Sequence, residues 1–238
     1  MLSVAKKLEE KQRRETLEDL LKLCLWGNKC DIALTDGDVP MLKHSPTEAA
    51  RMLDPFILRN DLKTAIDSFF LRLRPNKKGL RELHVVLDNM GPEFMNDLIF
   101  VEYVMETKLA DRTILHGKEY PYFISDATRN DFEWALAELN RLDGGVLLFH
   151  DHRFWTHPYP YSEMKTVAPD LYSELSEASI IIFKGDMNYQ KLDANIDWSF
   201  ETPFQVRCRT FFFEGIALLQ THSFFRYRVT NSVFWHVV

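Results

Sequence analysis

Four short apolar runs, set between charged segments with helical spacing, constrain this chain more than any other feature. They are Glu82–Asp88 (ELHVVLD), Arg112–His116 (RTILH), Gly145–His150 (GVLLFH) and Ser179–Phe183 (SIIIF). Polar or turn-forming residues bound each run, as they do in buried strands. Between the runs, Phe94–Lys108 places Met95, Leu98, Ile99, Val101 and Val104 along a helix. Asp131–Leu142 and Ala168–Ala178 read as further helices, the last with Pro169 at its start. Strands alternating with helices predict a three-layer α/β/α fold around a largely parallel sheet. Ligands of such sheets sit beyond the carboxyl ends of the strands. Two runs end there in polar clusters, Asp88-Asn89 and Lys184-Gly185-Asp186-Met187-Asn188.

The first part of the chain is helical in pattern. Ala5–Leu25 is amphipathic, Ser45-Pro-Thr-Glu opens a helix to Leu53, and Asp61–Leu73 continues the type. The predicted organisation is a helical segment over 1–80, an α/β metal- and phosphate-binding core over 81–203, and an aromatic-rich tail over 204–238. The 238 residues carry a net charge of −6 and no Lys/Arg stripe, which argues against nucleic acid as partner. No run reaches membrane-spanning length, and no leader pattern opens the chain. Cys24, Cys30 and Cys208 form no CxxC pair and read as reduced thiols. The expectation is a cytoplasmic protein, with a nuclear pool as a second compartment; the sequence sets no oligomeric state.

The polar clusters admit two readings each. Asp88-Asn89 offers hard oxygen donors to a divalent cation, or an Asx turn capping the next helix. Asp126, in Ser125-Asp-Ala-Thr128, is either a third oxygen ligand or a helix cap. Lys184–Asn188 can turn backbone N–H groups and a lysine toward an anion, or be a solvated turn with Gly185 at positive φ. His116 and Lys118 are structural or face a substrate. His150, Asp151, His152 and His157 match no standard metal spacing, and the Phe154-Trp-Thr and Pro158-Tyr-Pro segments among them suggest a rigid aromatic loop instead. His84 and His116 lack the HExxH spacing of a zinc protease.

Five motifs in one order go further: Leu25-Trp-Gly-Asn-Lys-Cys-Asp31, Val86-Leu-Asp-Asn-Met-Gly91, Tyr122-Phe-Ile-Ser-Asp126, Ala168-Pro-Asp-Leu-Tyr172 and Phe183-Lys-Gly-Asp-Met-Asn-Tyr-Gln-Lys-Leu192. From about Leu25 to Pro203 the chain resembles the damage-control phosphatases, and within them the sugar-phosphate phosphatase subfamily. The resemblance implies that Asp88, Asn89 and Asp126 bind a divalent metal, Mn²⁺ or Ni²⁺, with Co²⁺ or Mg²⁺ as alternatives. It places Asp88 at the chemistry, and it implies substrate contacts for Asp88, Asn89, Lys184, Gly185, Asp186, Met187 and Asn188. The implied substrates are small sugar phosphates such as fructose 1-phosphate and fructose 6-phosphate.

Two departures accompany the resemblance. The family's helical N-terminal part is represented by one helix, and an expected Arg-Thr-x-Lys motif appears as Arg209-Thr-Phe-Phe212, without the lysine. An incomplete family member is the expectation. Two other functions remain open at this point: an S-adenosylmethionine-dependent protein-glutamate O-methyltransferase, reported within the subfamily, and an inactive metal-binding remnant. The sequence has no glycine-rich nucleotide loop to favour the former.

Overall fold

A computed structural model of the chain describes residues 8–27, 44–72, 75–138, 147–199, 201–202, 217–224 and 232–237. The elements, in chain order, are α1 (Glu10–Trp26), α2 (Pro46–Met52), β1 (Ile57–Asn60), α3 (Leu62–Asp67), β2 (Glu82–Val86), α4 (Pro92–Glu106), β3 (Arg112–Gly117), α5 (Arg129–Glu138), β4 (Leu147–Asp151), α6 (Met164–Val167), α7 (Pro169–Leu175), β5 (Ile180–Lys184), α8 (Asp186–Leu192), β6 (Ala217–Phe224) and β7 (Ser232–Val237).

The seven strands form one sheet in the order β1-β7-β6-β5-β2-β3-β4. All neighbours are parallel except β6 and β7, which run antiparallel from Leu219↔Val237 to Phe224↔Ser232. The predicted strands are the centre and one flank of this sheet. β1, β6 and β7 complete the other flank, from segments the sequence pattern had not marked as strands. α8 likewise occupies a stretch read as either an anion-binding loop or a solvated turn.

Alternation along β2 and β5 sorts side chains to two faces. Leu83, Val85, Ile180 and Ile182 join Leu115 on one face, covered by α1, α4 and α5 through Leu17, Leu21, Phe94, Val101 and Phe132. Val86, Ile181 and Phe183 face the other side, under Phe154, Trp155, Tyr161, Met164, Leu171 and Leu175. This is the three-layer α/β/α arrangement. Full burial of side chains such as Val85 and Ile182 stabilises the fold by about 1.5–3 kcal/mol each. In the aromatic loop expected there Phe154 and Trp155 are buried, as is the following Tyr161, whereas Tyr159 is exposed.

Local signals explain the helix boundaries. Ser45 and Glu48 form a capping box at the start of α2, with Pro46 at the first helical position. At α5, the Asp131 carboxylate reaches back to the Thr128 N–H at 2.8 Å and its hydroxyl at 2.6 Å. α1 is fixed to α4 through polar groups at its edge: Tyr103 Oη donates to the Arg13 carbonyl at 2.8 Å, and Asn96 Nδ2 to that of Leu23 at 3.2 Å. Cys24 is free and buried; Cys30 and Cys208 lie outside the described residues. Among the described residues, no helix is long and apolar enough to cross a membrane.

Candidate metal and phosphate site

β2 and β5 are hydrogen-bonded neighbours, but the chain leaves β2 for β3 on its opposite side. Their carboxyl ends therefore flank a topological switch point, where open α/β sheets bind ligands. Asp88 and Asn89 follow β2 here, and Lys184 closes β5.

The chain does not turn into a helix directly after β2. The Leu87 N–H donates to the His116 carbonyl at 2.9 Å, Ala127 N–H to that of Asp88 at 3.0 Å, and Met90 N–H to that of Ser125 at 2.7 Å. Asn89 and Asp126 consequently pair across an isolated antiparallel bridge. α4 begins only at Pro92, behind Gly91 at φ 77°. Neither Asp88 nor Asn89 caps it. Asp126 does not cap α5 either, because Thr128 and Asp131 fill that role. The capping readings of all three residues are thus corrected by the backbone between strand and helix.

Asp126 is buried, and both its oxygens are engaged. Oδ2 accepts the Tyr122 and Phe123 N–H groups at 2.9 and 2.7 Å, and Oδ1 accepts from Lys118 Nζ at 2.5 Å. The rings of Tyr122 and Phe123 meanwhile stand half exposed. Lys118 is itself buried, and its ammonium lies 3.7 Å from Asp88 Oδ1. One lysine thus bridges two of the three predicted ligands. Asn89 completes the group: Nδ2 donates to Asp88 Oδ2 at 2.9 Å and to Glu93 Oε2 at 3.2 Å, while Oδ1 accepts from Ser125 Oγ at 2.8 Å.

Glu93 carries the network to β5. Its Oε1 lies 2.7 Å from Lys184 Nζ, which also donates to both Asp97 oxygens at 2.7 Å. Burial opposes a charge on Lys184, yet Asp97 and Glu93 hold its ammonium above the ordinary lysine range. The lysine expected to neutralise phosphate is therefore committed to two carboxylates of α4. Asn188 is also used internally: Nδ2 donates to the Lys184 carbonyl at 2.7 Å, and its Oδ1 accepts from Tyr161 Oη. Met187 is half buried, and the exposed Asp186 accepts from Gln190 Nε2 at 2.6 Å. The part of this loop that borders Asp88 is the backbone at Gly185. A Cβ there would lie 2.1 Å from Asp88 Cγ and Oδ2, and the glycine sits at φ 84°.

Asp88, Glu93, Asp97 and Asp126 face only two ammonium groups in this network, those of Lys118 and Lys184. Among the described residues each lysine is shared by two carboxylates, so the network carries a formal surplus of two negative charges. Burial, followed by the repulsion of Glu93, pushes the Asp88 carboxyl up to about 7, against the pull of Lys118 and Lys184. Hard oxygen donors with a surplus of two charges fit one divalent ion. Glu93 and Asp97 were not among the predicted site residues. Their signal is an i,i+4 pair of acids on the helix face that also carries Phe94, Leu98 and Val101, where a solvated acid would be out of place.

The histidines after β4 do not converge. Asp151 pairs bidentately with Arg129 at 2.8 and 3.0 Å, and His152 accepts the Phe154 N–H at 3.0 Å while its Nε2 lies 3.3 Å from Asp170.

Comparison with known proteins identifies the family. The damage-control phosphatase ARMT1-like domain family matches residues 1–226. The chain is 35% identical over 222 residues to damage-control phosphatase ARMT1 of Xenopus laevis, covering 86% of this chain and 50% of that protein. The mouse protein of the same name is 37% identical over 223 residues, covering 85% and 50%. The human one is 36% identical over 219 residues, covering 83% and 48%. The chain thus spans about half the length of the curated relatives it matches. A DUF89 family protein from Pyrococcus horikoshii, solved by crystallography, shares the fold with a TM-score of 0.54 at 20% identity, over 93% of this chain and 65% of that one. On the extent of the family match, the chain belongs to the damage-control phosphatase family, through its ARMT1-like domain.

Proposed function

We propose that this chain is a divalent-metal-dependent phosphatase of small sugar phosphates, fructose 1-phosphate and fructose 6-phosphate among them. The observation that carries the reading is the convergence of Asp88, Asn89 and Asp126 at the β2–β5 switch point, in a network short of two positive charges. These three residues would hold Mn²⁺ or Ni²⁺, with Co²⁺ or Mg²⁺ as substitutes. Such an ion neutralises phosphate oxygens and opens phosphorus to attack.

The protein's own groups do the positioning. Glu93 and Ser125 fix the Asn89 amide from both sides, and Lys118 holds the Asp88 and Asp126 carboxylates to a common point. Gly185 leaves Asp88 room against the β5–α8 turn, where the phosphate would lie beside backbone rather than beside the Lys184 ammonium. The Tyr161–Asn188 hydrogen bond and Asn188's bond to the Lys184 carbonyl hold that turn in place. Asp88 is the catalytic carboxylate of the proposal.

Phosphate release from fructose 1-phosphate tests it, measured with Mn²⁺, Ni²⁺, Co²⁺ or Mg²⁺ and after chelation. Metal-dependent release that Asp126→Asn abolishes supports the reading. Release that persists in chelator, or unchanged release by Asp126→Asn, overturns it.

A further inference from the structure

A second cluster of metal-ligating side chains lies away from the acidic network, on the other face of the sheet. His84 follows the alternation of Val86, and His116 packs on Trp155 at 5.5 Å between ring centroids, so both stand on the face covered by α7. Both imidazoles are fully buried. Their rings stack at 21°, with His84 Nδ1 2.8 Å from His116 Nε2. Glu174 of α7 approaches from solvent with its side chain 31% exposed, and one carboxylate oxygen and one nitrogen of each ring lie within 4.8 Å of one another.

We propose that His84, His116 and Glu174 form a zinc-type metal site, separate from the Asp88 site, with a fourth position on the side of the partly exposed Glu174 open to water or a small ligand. Two imidazoles and one carboxylate form a common three-residue donor set for zinc that retains an open position. The surroundings supply the groups such ligands need. Metal-bound histidines characteristically offer their outer N–H to a carboxylate. Here Glu82 Oε2 faces His84 Nε2 at 3.8 Å, an electrostatic neighbour beyond hydrogen-bond reach, and the buried Glu82 is held 3.1 Å from Arg112. His150 Nδ1 lies 2.5 Å from Glu174 Oε1 and orients that carboxylate.

Without an ion the arrangement is incomplete. A Glu82 carboxylate facing His84 Nε2 favours the proton there, so His84 Nδ1 must accept from His116 Nε2. His116 Nδ1 is then a buried lone pair that no partner among the described residues reaches. Burial also drives the His116 imidazole well below its ordinary range, which keeps it neutral and able to ligate. An ion between the rings would engage the His116 Nε2 and His84 Nδ1 lone pairs together, in place of the single hydrogen bond between them.

Zn²⁺ titration of the chelator-stripped full chain, in competition with a chromophoric chelator, tests the site, with Co²⁺ absorption reporting nitrogen ligation. Asp126→Asn serves as a background lacking the first site. We expect one equivalent of Zn²⁺ to remain bound in that background. Glu174→Gln, on a partly exposed helix face, should weaken it by about tenfold or more, and Glu82→Gln by about tenfold. His116→Gln should abolish the Co²⁺ bands. Unchanged zinc affinity in Glu174→Gln with unaltered circular dichroism, or no zinc bound by the Asp126→Asn protein, overturns the proposal. Neither outcome bears on phosphate release at Asp88.

Discussion

Gly185 and Asp88, nearly a hundred residues apart in sequence, meet so closely that a single methyl group at 185 would stand 2.1 Å from the Asp88 carboxylate. The contact joins the ends of β2 and β5 and defines one wall of the acidic site. Gly185→Ala adds that methyl at a backbone angle of φ 84°, which L residues rarely adopt. It should cost on the order of 1–3 kcal/mol in stability and displace Asp88. Thermal unfolding together with Mn²⁺ content checks this. A variant with unchanged metal content would show that Asp88 does not depend on the close approach.

The Lys184 ammonium is held by Glu93 and Asp97 in a fully buried network. Asp97→Leu removes one partner and leaves the charge under-compensated, at a cost of about 3–5 kcal/mol. Asp97→Leu combined with Lys184→Met should recover a substantial part of that loss in denaturant unfolding. Equal losses in the single and double variants would argue that cavity effects, not the charge, set the cost.

Lys191 gives a pH dependence. Burial, with Lys118 adding to it, lowers its ammonium to about 7, while Nζ donates to the carbonyls of Phe154 and His157. The unfolded chain keeps this proton up to the ordinary lysine range, and the folded chain loses it near 7. Between those values the unfolded state binds more protons, so stability rises with pH, by up to about 1.4 kcal/mol per unit. Lys191→Met should remove that rise. Parallel stability profiles of wild type and variant between pH 7 and 10 would contradict it.

Asp111 gives the opposite limb. Its hydrogen bonds from Arg81, at 2.7 and 3.0 Å, hold the carboxyl at about 2. The pair's contribution is complete above the ordinary carboxylate range and is lost as pH falls through about 2. With partial exposure it amounts to about 1 kcal/mol. Asp111→Asn should flatten the acid limb below pH 4, as followed by far-UV circular dichroism.

Much of this fold was legible because its central strands are nearly continuous apolar runs. Ile180–Phe183 cannot be anything but buried, and β2 to β4 follow the same rule. β1 was hidden by its length, four residues between Phe56 and Asp61. β6 and β7 were hidden because ALLQTHSF and SVFWHV mix polar and apolar residues without the strict pattern of a central strand. At the site, Asp88 and Asn89 could be read as caps until Gly91 and Pro92 were seen to delay α4. The pairing of Lys184 was illegible for a different reason. Its partners sit on a helix about ninety residues earlier, and no local pattern announces a pairing across that distance. The same holds for Lys118, whose bridging place depends on how residues 125–127 pair with Asp88 to Met90.

The central claim is that Asp88, Asn89 and Asp126 hold a divalent ion. Manganese retention after gel filtration, compared between the wild-type chain and Asp88→Ala, tests it most directly. The account predicts about one equivalent in the wild type and none in the variant, with secondary structure intact. Equal manganese in both would contradict it.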